Sequence, residues 1–434
     1  MSKVLDRHLI FRHRDIENIH NIDTYIKDDG YSALKKALKE MKPVDVTNEV
    51  KSAGLRGRGG AGFPAGVKWS FIPKDIFPKY VVVNADESEP GTFKDREIME
   101  KNPHLLLEGI ALCAYAVGAS ASYIYGRGEF LSTFRPLQQA IDDAYKHGFL
   151  GENILGSGFS LDIRLHLGAG AYICGEETAL LNSLEGLMGQ PRNRPPFPAV
   201  AGLYAKPTVI NNVETLSGVP YIILNGIDAY RKYGTDRSPG TKIFSLSGRV
   251  NRPGNYELPL GTPLRYLVEE CGGGVIDGKQ VKGILPSGAA SSIMGGDKLD
   301  THLDYESMVE AGSMLGSGSV IILDETINGV WVAKKNIDFF RHESCGKCSP
   351  CREGTHWLKS VYTKIVDGHG TKQDVDMLGT IIGQMEGNCF CPLGEFVVPG
   401  VRTSLGLYMD EYLEMVAGNE EASQPQKDLI HTFF

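Results

Sequence analysis

The apolar positions of this chain change period several times, and each change predicts an element. Residues 1 to about 50 read as an N-terminal helical segment, with a short amphipathic helix over 31–41. From about 75 to 240, short apolar runs alternate with stretches of helical spacing. Residues 80–83, Tyr-Val-Val-Val, suit a strand buried on both faces. Residues 103–119 start on a proline and space their apolar side chains as a helix does. Further strands are predicted over 122–125, 161–167 and 208–210. Helices are predicted over 130–147, ended by Gly148, and over 176–187. Strands alternating with helices imply a parallel α/β, Rossmann-like sheet.

The pattern changes near 240. Residues 242–247 and 254–258 read as strands joined by a Pro-Gly turn. A short helix follows, with Thr262 as N-cap, Pro263 at its first position and Gly272 to Gly274 after it. Strands over 281–285 and 319–323 complete a small α+β unit. From about 335 the chain is helical, and its last twelve or so residues are polar and read as loose. The expected domains are therefore 1–50, 51–240, 241–334 and 335–434.

Composition narrows the functions open to the chain. Its 434 residues suggest about three domains. A net charge of -8 argues against binding nucleic acid, which needs a basic face. Residues 1–30 are charged throughout and lack the apolar core of a secretory signal. The uncharged stretch 109–126 is near the lower limit for a membrane span, but splits into a helix end and a strand and reads as buried core. The expectation is a soluble, cytosolic protein. The 52 glycines, about 12% against a usual 7%, fall in discrete loops.

Those loops are the first candidate sites. Gly57-Arg58-Gly59-Gly60-Ala61-Gly62 fits a dinucleotide pattern, yet no clear strand precedes it and Pro64 follows at once. Its glycines would still let backbone N–H groups approach a phosphate or flat ring, with Arg56, Arg58 and Lys68 adding positive charge. A glycine-rich hinge is an equal reading of this segment alone. The loop Gly168 to Gly175 has better context, since a strand leads in and a helix leads out. Glu176 and Glu177 at that helix start suit its dipole but would repel phosphate. Asn84-Ala-Asp86-Glu87-Ser88-Glu89 and Asn211-Asn212 follow predicted strands, where open sheets bind ligands. Each is equally an ordinary solvated turn.

Five of the eight cysteines lie late. Cys345-x-x-Cys348-x-x-Cys351 with a remote Cys-Pro, here Cys391-Pro392, has the spacing of a four-iron cluster site. Cys389 competes for the fourth place. Structural zinc is the bland reading, although zinc sites more often pair two separate Cys-x-x-Cys units. Cys113, Cys174 and Cys271 read as small buried residues.

Five motifs in order carry a closer resemblance. They are Gly54-Leu-Arg-Gly-Arg-Gly-Gly-Ala-Gly-Phe-Pro64, Asn84-Ala-Asp-Glu-Ser-Glu-Pro-Gly91, Gly168-Ala-Gly-Ala-Tyr-Ile-Cys-Gly-Glu-Glu-Thr-Ala179, Asn211-Asn-Val-Glu-Thr215 and Glu343-Ser-Cys-Gly-Lys-Cys-Ser-Pro-Cys-Arg352. From about residue 25 to 415 the chain resembles the flavin- and NADH-binding subunit of proton-pumping NADH:quinone oxidoreductase, respiratory complex I. The resemblance implies FMN contacts at Gly57, Gly59, Lys68, Asn84, Asp86, Glu87, Tyr172, Gly175, Glu176, Asn211, Asn212 and Thr215, with Arg58, Gly60 and Ser88 in the same motifs. It implies that Phe63, Phe71 and Phe197 stack on NADH, that Glu89 holds the adenosine ribose, and that Glu177 lies by the nicotinamide. Arg194 stands where the family commonly has Lys, a change that keeps the charge. Cys345, Cys348, Cys351 and Cys391 match the [4Fe-4S] ligands, and residues 240–330 look like a β-grasp, ubiquitin-like domain ahead of a C-terminal helical bundle.

The implied activity is hydride transfer from NADH to FMN, then single electrons to the cluster. Implied partners are a [2Fe-2S] subunit and a large multi-cluster iron–sulfur subunit. The implied place is the cytoplasmic face of the inner membrane. A diaphorase subunit of an NAD-linked hydrogenase or formate dehydrogenase is the alternative; the chain's late start and its end soon after Cys391 favour the respiratory enzyme. A non-enzymatic zinc- and ligand-binding protein is a distant third reading.

Overall fold

The computed structural model describes residues 5–418, so the expectation for the last twelve residues lies outside the described residues. The chain divides into two compact units, Met1–Asp324 and Glu325–Phe434.

The first unit holds two sheets. One is parallel, with β1 (Tyr80–Ala85), β2 (Ala121–Gly126), β3 (Asp162–Leu167) and β4 (Thr208–Asn212) in the order β3-β2-β1-β4. Tyr80 stands opposite both Ala121 and Thr208. Val81, Val82 and Val83 are fully buried, because helices cover the central strand on both faces. The helix Pro103–Val117 is buried nearly all round and ends at Gly118 in the left-handed conformation (φ 76°). The uncharged stretch is thus core. Among the described residues, no helix is long and apolar enough to cross a membrane.

The second sheet is mixed, with β5 (Thr241–Gly248), β6 (Gly254–Pro259), β7 (Val281–Ala289), β8 (Met294–Gly295) and β9 (Ser319–Asp324) in the order β6-β5-β9-β7-β8. Only the β5–β9 pair is parallel. Phe244, Leu246, Leu264, Leu267, Leu303, Met308, Val320 and Ile322 form its core. Thr262 is not the N-cap expected. Its hydroxyl donates to the Pro259 carbonyl at 2.7 Å, and Pro263 precedes the short helix Leu264–Tyr266, which widens into a π turn at Leu267–Cys271.

The N-terminal segment is less helical than its sequence suggests. Residues 9–11 form a strap whose three N–H groups donate to the buried Glu257 carboxylate on β6. Helices Ile22–Lys27, Ser32–Glu40 and Pro43–Ala53 follow, the last crossing the expected boundary at 50.

The second unit is helical: Gly329–Glu343, Ser349–Val366, Lys372–Met385, Pro392–Leu407 and Met409–Val416. Leu358, Tyr362, Leu378, Val397 and Tyr412 are buried within it. Its first helix begins at Gly329.

Candidate functional site

The first glycine loop is a hairpin between two helices, which explains its failure to fit a strand–turn–helix. Arg56 pairs with Pro64, Gly57 N–H donates to the Phe63 carbonyl at 2.9 Å, and Ala65 N–H donates to that of Leu55 at 2.8 Å. A side chain at Gly59 would place its Cβ 2.9 Å from Asn212 Cβ, so glycine permits that contact. At Gly60 a Cβ would meet nothing within 4 Å, leaving this backbone open to a ligand. Phe63 and Phe71 are half exposed, with ring centroids 6.3 Å apart.

Arg58 corrects an expectation. Its guanidinium is 1% exposed and donates to the carbonyls of Thr241, Arg56 and Pro239 and to the Tyr230 hydroxyl. It braces the hairpin from within, its guanidinium engaged with the protein rather than presented to a ligand. Its N–H donates to Thr215 Oγ1 at 2.8 Å. Arg56 likewise turns away, to Glu306 and the Tyr305 ring.

The remaining loops gather at the carboxyl ends of β1, β3 and β4. Asn84 Nδ2 donates to the Gly175 carbonyl at 2.9 Å, and Asp86 N–H donates back to Asn84 Oδ1 at 3.1 Å. Ser88 donates to Asp86, whose carboxylate would lie 3.2 Å from a Cβ at Gly175. Glu87 has φ 43° and accepts from the N–H groups of Asp95 (2.5 Å) and Arg96 (3.0 Å), at the start of the helix Lys94–Lys101. Glu89 accepts from Tyr172 Oη at 2.7 Å and Ala290 N–H at 3.0 Å; burial pushes its carboxyl up to about 7 against those bonds.

Glu176 is the N-cap of the helix Glu177–Leu184, accepting from the N–H groups of Thr178 and Ala179, and it pairs with Arg194. Its carboxylate is therefore engaged with the protein rather than aimed at a ring. Glu177 lies 2.8 Å from Lys68 Nζ and 3.3 Å from Arg194. Burial raises its carboxyl, but these two cations outweigh burial and hold it below the usual range. Lys68 also donates to the Ile210 carbonyl at 2.9 Å. Asn211 Oδ1 accepts from Trp69 Nε1 at 2.8 Å, and Asn212 caps the helix Val213–Ser217. Phe197 is half exposed.

Hydrogen bonds, ion pairs and close contacts thus interlock four of the motifs. Sequence reading missed Lys94, Asp95, Trp69, Lys242 and Ala290, which touch these motifs from outside them. None carries a local pattern that would mark it.

In the second unit, Cys348 and Cys391 are each the N-cap of a helix with proline at its first or second position, and Cys351 lies in the first turn after Cys348. Unpaired N–H groups and the helix dipole favour negative charge there. Burial pushes the Cys351 and Cys391 thiols up to about 11, and both feel Cys345 and Cys348. Thiols held protonated in this way suit a cationic metal core, which would draw off the protons of Cys351 and Cys391. Among the described residues, no three His, Cys, Asp or Glu side chains converge on one metal-ion position. Cys389 donates to the Met385 carbonyl at 3.4 Å and also feels Cys351, Cys348 and Cys391.

Comparison with known proteins agrees with this geometry. Residues 50–221 match the Nuo51 FMN-binding domain, 243–288 the SLBB domain, and 331–415 the NADH-ubiquinone oxidoreductase-F iron-sulfur binding region. The chain is 50% identical over 406 residues to F subunit 2 of the NADH-quinone oxidoreductase of Rhizobium meliloti (strain 1021), covering 93% of this chain and 96% of that one. It is 50% identical over 430 residues to the F subunit of the NADH-quinone oxidoreductase of Mycobacterium tuberculosis (strain ATCC 25618 / H37Rv), covering 97% and 96%. Among solved structures it is similar to NAD+-reducing [NiFe]-hydrogenase in the H2-reduced state, with TM-score 0.84 and 31% identity, covering 98% of this chain and 68% of that one.

Proposed function

This chain belongs to the family of NADH-quinone oxidoreductase F subunits, the NADH dehydrogenase subunit of respiratory complex I, and we propose that its carboxyl-end loops hold FMN and NADH while Cys345, Cys348, Cys351 and Cys391 hold its [4Fe-4S] cluster. The chain oxidises NADH through FMN to that cluster, within a multisubunit enzyme. The observation that carries the residue assignment is the interlocking of the glycine hairpin, the acidic loop, the Gly168 to Glu177 turn and the Asn211 to Thr215 turn around one sheet end.

FMN supplies the step between hydride, which carries two electrons, and a cluster that takes one at a time. The protein supplies position and charge. The open backbone at Gly60, in a hairpin whose Gly57 and Gly59 pack closely on Phe63 and Asn212, admits a flat ring or phosphate, and Lys68 supplies a cation. Phe63, Phe71 and Phe197 present half-exposed rings for the nucleotide to stack on. Glu177, kept ionised by Lys68 and Arg194, faces the nicotinamide end. Glu89, oriented by Tyr172 and Ala290, accepts from ribose hydroxyls and repels a 2′-phosphate, which selects NADH over NADPH.

The domain reading follows: an N-terminal segment over 1–50, FMN and NADH on 51–240, a β-grasp domain over 241–334 and a helical [4Fe-4S] bundle over 335–434. Support for the β-grasp is the order second-first-fifth-third-fourth with a parallel central pair. Electrons must leave the chain, so it partners other subunits of the enzyme. We take these to be the [2Fe-2S] subunit and the large multi-cluster subunit, on the cytoplasmic face of the inner membrane. Relatives at 50% identity over nearly the full chain favour this enzyme over the hydrogenase diaphorase, at 31%.

The test is the visible spectrum of anaerobically purified protein before and after NADH. Flavin peaks and a broad iron–sulfur shoulder that bleach with NADH, and not with NADPH, are expected. A colourless protein that retains zinc after reconstitution would overturn the assignment.

A further inference from the structure

Behind the loops at the ends of β1 and β4 lies a set of charges closed to water. Lys94, Glu214 and Lys242 are 0% exposed and Asp95 is 2% exposed. Lys94 Nζ stands 2.8 Å from Asp95 Oδ1 and 2.8 Å from Glu214 Oε2. Lys242 Nζ donates to the Arg58 carbonyl at 3.0 Å and lies 3.4 Å from Glu214 Oε2. Ile243 N–H donates to the other Glu214 oxygen at 2.8 Å. The oxidation of NADH described above uses none of Lys94, Asp95 and Lys242.

These charges grip the cradle at several points. Asn212 Nδ2 donates to Asp95 Oδ2 at 2.7 Å, and Lys94 Nζ donates to Asn212 Oδ1 at 3.4 Å. Asp95 N–H donates to Glu87, and Lys242 holds the hairpin through Arg58. The network therefore fixes the acidic loop, the Asn211 to Thr215 turn and the glycine hairpin together. Burying ions costs several kcal/mol each, and apolar residues of equal volume often serve stability as well or better. Stability alone does not account for charges here. Charges closed to water are weakly screened, so their field reaches the neighbouring site.

We propose that Lys94 and Asp95 are positioning residues of the flavin cradle, fixing Asn212 and Glu87 and setting through their charges the electrostatic potential in which the flavin is reduced. The proposal rests on the placement of FMN argued above. Hydride brings two electrons and one proton as NADH leaves as NAD+, so the site gains one negative charge. A cation behind it favours that state and an anion opposes it.

The experiment compares Lys94→Met and Asp95→Asn in the assembled enzyme by redox titration of the bound flavin, with flavin content measured after release. Lys94→Met is expected to lower the flavin's midpoint potential and Asp95→Asn to raise it. Loosening of the fold cannot produce opposite signs, since it moves both towards free flavin. The charge-neutral double variant Lys94→Met/Asp95→Asn returns the potential towards that of the unaltered enzyme. Potentials that stay put, or move in the same direction in both single variants, overturn the proposal. Should a single variant fail to fold, Lys242→Met is titrated below pH 7, because burial lowers the Lys242 ammonium to about 7; there it withdraws positive charge from the other side of Glu214 and must lower the potential, and no shift also overturns the proposal. An unaltered enzyme without flavin would instead sink the reading on which the proposal rests, and would be seen before any variant is made.

Discussion

Glu89 shows how much one side chain's surroundings decide. Burial places its carboxyl near 7, well above the usual range, despite the Tyr172 and Ala290 hydrogen bonds. Above that pH it is an anion suited to ribose hydroxyls; below it the charge is lost. The KM for NADH is therefore expected to rise as pH falls through about 7, and Glu89→Gln to flatten that rise, in steady-state assays with an artificial acceptor. The two late cysteines part in the same local way. Both feel the other thiols, but Cys391 caps a helix with a proline at its start, whereas Cys389 donates its thiol to the Met385 carbonyl. Cys391→Ser should abolish the cluster's visible absorption and Cys389→Ser should leave it. Residue types and spacing made the cysteines and the glycine loops legible in the sequence. The inward turn of Arg58 was not, because its partners, Tyr230, Pro239 and Thr241, are more than 170 positions away.

At the level of elements, the long buried helices and central strands were the most legible. Their apolar period is sustained: β1 and Pro103–Val117 lie within two residues of where the pattern placed them. Elements fixed by distant contacts escaped. The two-residue β8 has no period to read, and the 9–11 strap exists because a carboxylate on β6 gathers its N–H groups. Gly109 shows what helix packing demands. A Cβ there would sit 2.1 Å from the Leu216 carbonyl oxygen, so Pro103–Val117 closes on the helix Val213–Ser217 through glycine. Gly109→Ala would gain about 1 kcal/mol of helix propensity against about 3 kcal/mol of overpacking. A net loss of about 2 kcal/mol is expected, read as a lower denaturant midpoint.

Across the whole molecule, the chain falls into two compact units, with the seam between Asp324 and Glu325. The helix Gly329–Glu343 belongs to the later unit by packing, and no composition change announces it. The nucleotide side has a calorimetric signature of its own. Phe63, Phe71 and Phe197 stand 49%, 56% and 55% exposed. Nucleotide seated on those rings removes apolar area from water, and that carries a negative heat-capacity change. Titration calorimetry across a span of temperatures should show NADH association growing more exothermic on warming. Leucine in place of all three rings would keep much of that slope, and alanine would lose most of it.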